Sequence, residues 1–236
     1  MQSRTKRSRS PRGSGELLAE EIISAAGALL VETGDEAAMS IRAVAGRVGV
    51  TPPSIYLHFA DKDALLDAVC ARYFEHLDGV LDEASSGIDD PLERALQLGL
   101  AYVRFALATP VLYRIAFRTC APDGPSKVDE VLAASAFERI SATVSELADD
   151  GLFADSEVLE VVLEFWAAAH GIASLMLAKP DLPWGDDLAV AEMLLRSVCL
   201  GRACIGFPGA DHSPADMREW LRGQRSAHHA GGDRTT

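Results

Sequence analysis

The sequence predicts an all-α chain, with a small three-helix N-terminal part followed by a larger helical remainder, and three observations carry that reading. Apolar residues recur at three- and four-residue spacing through most of the chain. No segment alternates with period two for long enough to make a strand. Pro, Gly and Asp clusters interrupt the helical runs where turns would fall. With 236 residues and 48% hydrophobic content, the chain can bury a real core, which excludes disorder throughout. Its 19 glycines and 11 prolines are close to the usual share, which excludes collagen-like and low-complexity architectures.

Residues 1–15 contain Arg4, Lys6, Arg7, Arg9 and Arg12 and no acid, the composition of a disordered basic tail. Leu18, Ile22, Ala25 and Leu29 then form one face of a first helix, which Gly34 ends. Ser40 is placed to cap a short helix in which Ile41, Val44, Ala45 and Val48 share a face, and Gly49 supplies the left-handed exit. Thr51 is placed to cap a second short helix opened by proline. The doubled Pro52-Pro53 biases Pro52 toward extended backbone and so predicts a start one residue later. Helical runs follow over Leu65 to Leu81, Leu92 to Leu107, Val111 to Phe117, Val128 to Leu147, Val158 to Leu177 and Leu188 to Ile205, making about nine helices in all. The acidic pairs Asp149-Asp150 and Asp186-Asp187 read as solvated helix starts favoured by the helix dipole. Beyond Phe207 the chain is polar, with at most a short amphipathic helix around Ala215 to Leu221. The expected organisation is a tail over 1–15, a helix-turn-helix domain over 16–62, a helical domain over 63–206 and a polar tail over 207–236.

The net charge of −13 argues at first against a polyanionic partner, but its distribution reverses the argument. Residues 1–62 hold 8 Lys/Arg against 7 Asp/Glu, while residues 63–236 hold 14 against 28. Four scattered cysteines form no CxxC pair, and a reducing cytoplasm is the expected compartment. Cys199 and Cys204 stand about 140° apart on one helix, so they cannot jointly hold a metal. Glu16, Glu20 and Glu21 spoil a signal-peptide reading of the N-terminus. The longest uncharged stretch, Phe165 to Ala178, is shorter than a membrane span, so no membrane partner is expected. No nucleotide-binding loop, nucleophile elbow or HExxH occurs, so no catalytic residue, metal site or cofactor is expected.

Residues 40–59 are the informative segment. Two short helices joined by a glycine turn, the first rich in alanine so that the second can cross it closely, describe a helix-turn-helix. Its second helix would lie in the DNA major groove with Thr51, Ser54, Tyr56 and Leu57 on or near its exposed side, and His58 and Lys62 would donate to phosphate. The same pattern also occurs in bundles that never meet DNA. From about Glu21 to Val69, however, the chain resembles the DNA-binding domain of the tetracycline-repressor (TetR) family. The match runs through Ile22, Ala25-Ala26, Glu32-Thr33-Gly34, Ser40-Ile41-Arg42-Ala43-Val44-Ala45, Val48-Gly49-Val50, Ile55-Tyr56, His58-Phe59, Asp61-Lys62 and Leu65-Leu66.

That resemblance implies phosphate contacts by Tyr56, His58 and Lys62, and base or backbone contacts around Thr51 and Ser54. Arg42 and Pro52 complete the DNA-contacting set, while Phe59 takes a packing position. A further local match, Phe165 to Leu175, resembles the Trp-His-Gly signature of one C-terminal subclass. Trp166 and His170 share a helix face. On one reading they are core residues, with Gly171 letting a neighbour approach; on the other they line an effector cavity together with Tyr102, Phe105, Tyr113 and Phe117. The mixture of rings and hydrogen-bonding groups suits an apolar or aromatic effector.

The expected function is a homodimeric regulator, most simply a repressor. It would bind a near-palindromic operator in double-stranded DNA and be released by a small molecule. The resemblance implies pairing through the last two long helices, with Leu194 and Val198 in the interface. The alternative is a helical small-molecule-binding or catalytic protein whose DNA-binding domain is vestigial.

Overall fold

The computed structural model of the chain describes residues 14–117, 137–152, 157–206 and 213–232, and all their regular structure is helical. In order, the helices are α1 (Ser14–Thr33), a 3-10 turn (Glu36–Ala38), α2 (Ile41–Val48), α3 (Pro52–Tyr56), α4 (Lys62–Ser85), α5 (Pro91–Ala108) and α6 (Pro110–Ala116). They continue with α7 (Glu138–Asp149), α8 (Val158–Ala178), α9 (Asp187–Gly206) and α10 (Pro214–Gly232). Most of the basic N-terminal segment, the turn at 121–125 and the opening of the run expected from Val128 lie outside the described residues. The chain forms two compact units. The first comprises the chain up to Glu83 and the stretch beginning at Arg104; the second comprises Ala84–Val103 and the chain from Arg139 onward.

In the first unit, Ile22, Ala26 and Leu30 of α1 are fully buried at four-residue intervals. Gly34 ends the helix in the left-handed region at φ 66°, its N–H bonded to the Leu30 carbonyl. Val44 and Ala45 of α2, Ile55 of α3, and Leu65, Val69, Phe74 and Leu77 of α4 complete the interior of this unit, together with Met39 from the intervening turn. Each large side chain so buried stabilises the fold by about 1.5–3 kcal/mol. A bidentate ion pair between Glu32 and Arg47, at 2.5 and 2.6 Å, joins the end of α1 to the end of α2. Arg72 of α4 pairs with Glu20 of α1 and Glu75 of its own helix.

In the second unit, α5 packs against α8 and α9 at Gly99. A Cβ there would stand 2.8 Å from both Leu195 Cδ1 and Phe165 Cζ, so only glycine fits without displacing two buried side chains. Arg94 ties α5 to α7 through Glu146 at 2.7 Å, and also donates to the carbonyls of Ile88 and Asp89. Arg202 of α9 reaches Glu157, Glu160 and Glu164 around the first turns of α8. By length and composition α8 is apolar enough to cross a bilayer, although the uncharged stretch within it is short. Its Glu160 and Glu164 are both engaged by Arg202, and its Val162, Phe165, Ala169 and Ala173 are buried within the unit, as in a packing helix.

Three expectations are corrected. The C-terminal helix is not the short one expected around Ala215 to Leu221 but the 19-residue α10. Ser213 and Asp216 start it with a reciprocal capping box, Asp216 N–H donating to Ser213 Oγ and Ser213 N–H to Asp216 Oδ2. Asp149-Asp150 does not open a helix. It closes α7, and Gly151 follows at φ 80°. Asp186 does open α9, accepting from the Leu188 and Ala189 amides. Finally, a Cβ on Gly171 meets nothing within 4 Å among the described residues, so close approach of a neighbouring helix does not explain that glycine here; Gly99 has that role instead.

Candidate nucleic-acid interface and ligand site

The helix-turn-helix is built as the local chemistry dictates. Ser40 Oγ accepts from the Ala43 amide and starts α2. Gly49, at φ 80°, and Val50 both direct their amides to the Ala45 carbonyl and close it. The chain then enters α3 at Pro52, not a residue later, with Thr51 extended before it. Thr51 does not cap by its side chain. Prolines at the first two helical positions carry no N–H. Ser54 therefore has the first available amide, which goes to the Thr51 carbonyl at 2.9 Å. The Thr51 hydroxyl instead pairs with the Ser54 hydroxyl at 3.0 Å.

Ile55 is buried and fixes α3 to the unit, so its neighbours turn outward: Tyr56 is 54% exposed and Leu57 83%. Thr51 and Arg42 are also exposed, while Pro52, Ser54, His58 and Lys62 are half-buried. Asp61 caps α4 by accepting from the Ala64 amide. Lys62 Nζ donates to the Glu36 carbonyl at 3.1 Å, which holds the ammonium at the turn between α1 and α2. The start of α1 lies beside this surface, since a Cβ on Gly15 would stand 3.9 Å from His58 Cε1. The chain thus enters α1 close to His58, just past the end of α3. Arg47 faces Glu32, whose carboxyl is held below its usual range by the hydrogen bond from that guanidinium.

The six aromatic and histidine residues expected around an effector fall into two groups. In the second unit, Tyr102 is buried and its hydroxyl lies 2.9 Å from His170 Nδ1, with the Trp166 ring 5.6 Å from the imidazole. Burial lowers the pKa of His170, favouring the neutral ring. In the first unit, Phe105, Tyr113 and Phe117 join Tyr73 and Phe74 in a run of ring contacts. Phe105 meets Tyr73 at 4.8 Å, Phe74 meets Phe117 at 5.4 Å, and Tyr113 meets Phe117 at 4.9 Å. The sequence reading did not anticipate Tyr73, nor His76, which packs edge-on to Phe105 at 5.2 Å. Helical spacing on α4 was the available signal, because residues 73 and 76 share a face with the buried Val69.

Leu194 and Val198, expected in a subunit interface, are half-buried within the chain itself. The large apolar side chains that α8 and α9 expose among the described residues are others: Leu159, Leu163, Leu175, Met193 at 64% and Leu200 at 60%.

Two family models match the chain. Residues 22–69 match that of the bacterial regulatory proteins of the tetR family, and residues 95–198 match that of the tetracyclin repressor-like C-terminal domain. No curated protein matches. Among solved structures, the chain is similar to a protein of unknown function from Rhodococcus sp. RHA1, with 27% identity and a TM-score of 0.67 over 78% of this chain and 94% of that one. It shares its fold with RolR in complex with resorcinol, at 19% identity and a TM-score of 0.61 over 82% and 96% of the two chains. It also shares it with a tetR-family transcriptional regulator from Streptomyces coelicolor, at 17% identity and a TM-score of 0.61 over 89% and 98%.

Proposed function

Because the chain belongs to the TetR family of DNA-binding transcriptional regulators, we propose that it acts as a ligand-responsive repressor. A homodimer would grip a near-palindromic operator through two copies of α3 and release it when a small molecule binds. The observation that carries this reading is the surface of α3, where Ile55 is anchored in the interior while Tyr56, Leu57 and Thr51 are left exposed. Arg42, Tyr56, His58 and Lys62 would meet phosphate, and Thr51, Pro52 and Ser54 would face the groove. Leu159, Leu163, Met193 and Leu200 support pairing through α8 and α9, since a second copy would remove these apolar side chains from water.

Effector binding is assigned to two sets of residues, Tyr102, Trp166 and His170 in one unit and Phe105, Tyr113 and Phe117 in the other. A neutral imidazole and a phenol beside an indole suit an aromatic ligand with a polar substituent. The resorcinol bound by RolR, a protein of the same fold, agrees with that class. Binding of the effector would favour a dimer whose two reading heads no longer fit both half-sites. The protein would work in the cytoplasm by binding, without catalysis. A gel-shift with the purified protein and the DNA upstream of its own gene tests the reading. A retarded band that aromatic ligands dissolve is expected; no retardation at low salt would favour a vestigial DNA-binding domain.

A further inference from the structure

The first unit holds a cavity of about 270 Å³ that belongs to neither the DNA-facing surface nor the Tyr102–His170 pair. Gly27 of α1 forms one wall and Val69 and Tyr73 of α4 another, while Phe105 and Leu112, at the end of α5 and in α6, close it. Gly27 leaves room that a larger residue would occupy. A Cβ there comes no nearer than 3.7 Å to Val69 Cγ1, an ordinary contact, so the position is open without being strained. The lining is mostly apolar and aromatic; Tyr73 and Thr109 are engaged with each other, while Ser24 and His76 bring a hydroxyl and an imidazole to the exposed lip. Tyr73 hydrogen-bonds to Thr109, and burial raises its phenol well above the usual range. The Thr109 hydroxyl also donates to the Phe105 carbonyl at 2.6 Å.

Charge at the rim decides the sign of the occupant. Arg72 lines the cavity, but its guanidinium lies between the carboxylates of Glu20 and Glu75, so the trio carries net negative charge. An anion would be repelled there, and a hydrated cation would have to shed water into an apolar interior. We propose that this cavity is a second small-molecule site, taking a compact, uncharged, largely aromatic molecule between α1, α4 and α6. A cavity of this volume fits about ten to twelve non-hydrogen atoms, fewer than a drug-sized ligand. The occupant would touch α1 directly, and α1 is the helix on which α2 of the helix-turn-helix packs. The cavity shares Phe105 with the first-unit residues assigned to the effector above, while its other walls, Gly27, Val69, Tyr73 and Leu112, lie outside that set.

Calorimetric titration of the full-length protein with 2-naphthol, and with the 2-naphthoate anion, tests it. Binding of 2-naphthol is expected, with the anion about tenfold weaker or worse. His170→Phe, which disables the Tyr102–Trp166–His170 group, is the background: there 2-naphthol should still bind, and Gly27→Leu, which fills the cavity, or Ser24→Phe, which obstructs its exposed lip, should each weaken it at least about tenfold. Ser24 is exposed, so its variant remains informative if Gly27→Leu does not fold. Absence of 2-naphthol binding, equal binding of the anion, or binding that survives both α1 variants would each overturn the proposal. Loss of binding in His170→Phe alone would also overturn it, and would move the ligand to the Tyr102–Trp166–His170 group.

Discussion

Lys62→Ala separates two roles that the structure gives to one ammonium. Lys62 Nζ donates to the half-buried Glu36 carbonyl, so its removal costs a hydrogen bond worth about 1 kcal/mol to the fold. The same group is assigned to a phosphate. A protein that neutralises a phosphate releases condensed counterions, so each such contact steepens the fall of log K with log salt by about 0.9. A dimer makes the contact twice, and the variant should therefore be flatter by about 1.8. Over a fourfold rise in salt this is a factor of about twelve: wild-type affinity falls that much further than the variant's. Fluorescence anisotropy with labelled upstream DNA at several salt concentrations measures the slopes, and thermal unfolding of the same samples measures the lost hydrogen bond. Tyr56→Phe is the companion, because it removes a donor but no charge and should weaken binding without altering the slope. A lowered melting temperature with an unchanged slope would refute the phosphate assignment and leave Lys62 as a tether for the turn at Glu36.

Met193→Glu or Leu200→Glu should convert the proposed dimer to a monomer in sedimentation, whereas charges at Leu194 or Val198 should lower the unfolding midpoint first, because those side chains are half-buried in their own chain. Gly99→Val should destabilise the second unit by about 1–3 kcal/mol in urea, since its branched side chain must displace Leu195 or Phe165. His170 is held below its ordinary pKa by burial, so the unfolded chain takes up its proton first as pH falls. Its contribution to stability is complete above the unfolded value near 6.5 and declines as pH drops through that value. His170→Phe should flatten that part of the stability profile in denaturant titrations, and also blunt release from DNA by an aromatic effector. Deleting residues 1–12 should weaken operator binding more at low salt than at high; equal loss at both would mean that these cations do not meet DNA.

The helix-turn-helix was legible because its determinants are local. Ser40, Gly49 and the apolar spacing of α1 and α2 act within one or two turns, and the structure places them as that chemistry requires. The entry to α3 departs from the sequence expectation for a reason that is also local. The bias imposed by the second proline falls on Pro52, but the helix starts there anyway, and its first free amide turns to the Thr51 carbonyl. What the sequence hid depends on which helices meet. Gly99 looked like one more residue in an apolar run until α8 and α9 brought Phe165 and Leu195 against it. Arg202 and its three glutamates are separated by about forty residues, and nothing in either segment alone pairs them. The capping box at Ser213 and Asp216 is a local signal of the same kind, and it marks the start of the longer α10.

The placement of charge gives the N-terminal segment more weight than its composition alone would. Between Glu16 and Lys62 the chain has three cations, Arg42, Arg47 and Lys62, against seven acids, so the folded helix-turn-helix is itself net acidic. One of the three, Arg47, is bound bidentately to Glu32 and has least freedom to reach a phosphate. Five more cations precede Ser14 and bring the total to 8 against 7. The chain that follows them enters α1 close to His58, just past the end of α3. The remaining 174 residues carry 14 cations against 28 acids, so their net charge opposes a polyanion, with an effect screened beyond about 8 Å in physiological salt. Non-specific affinity should consequently be low, and specific affinity should depend on a few phosphate contacts whose number the salt slope counts directly.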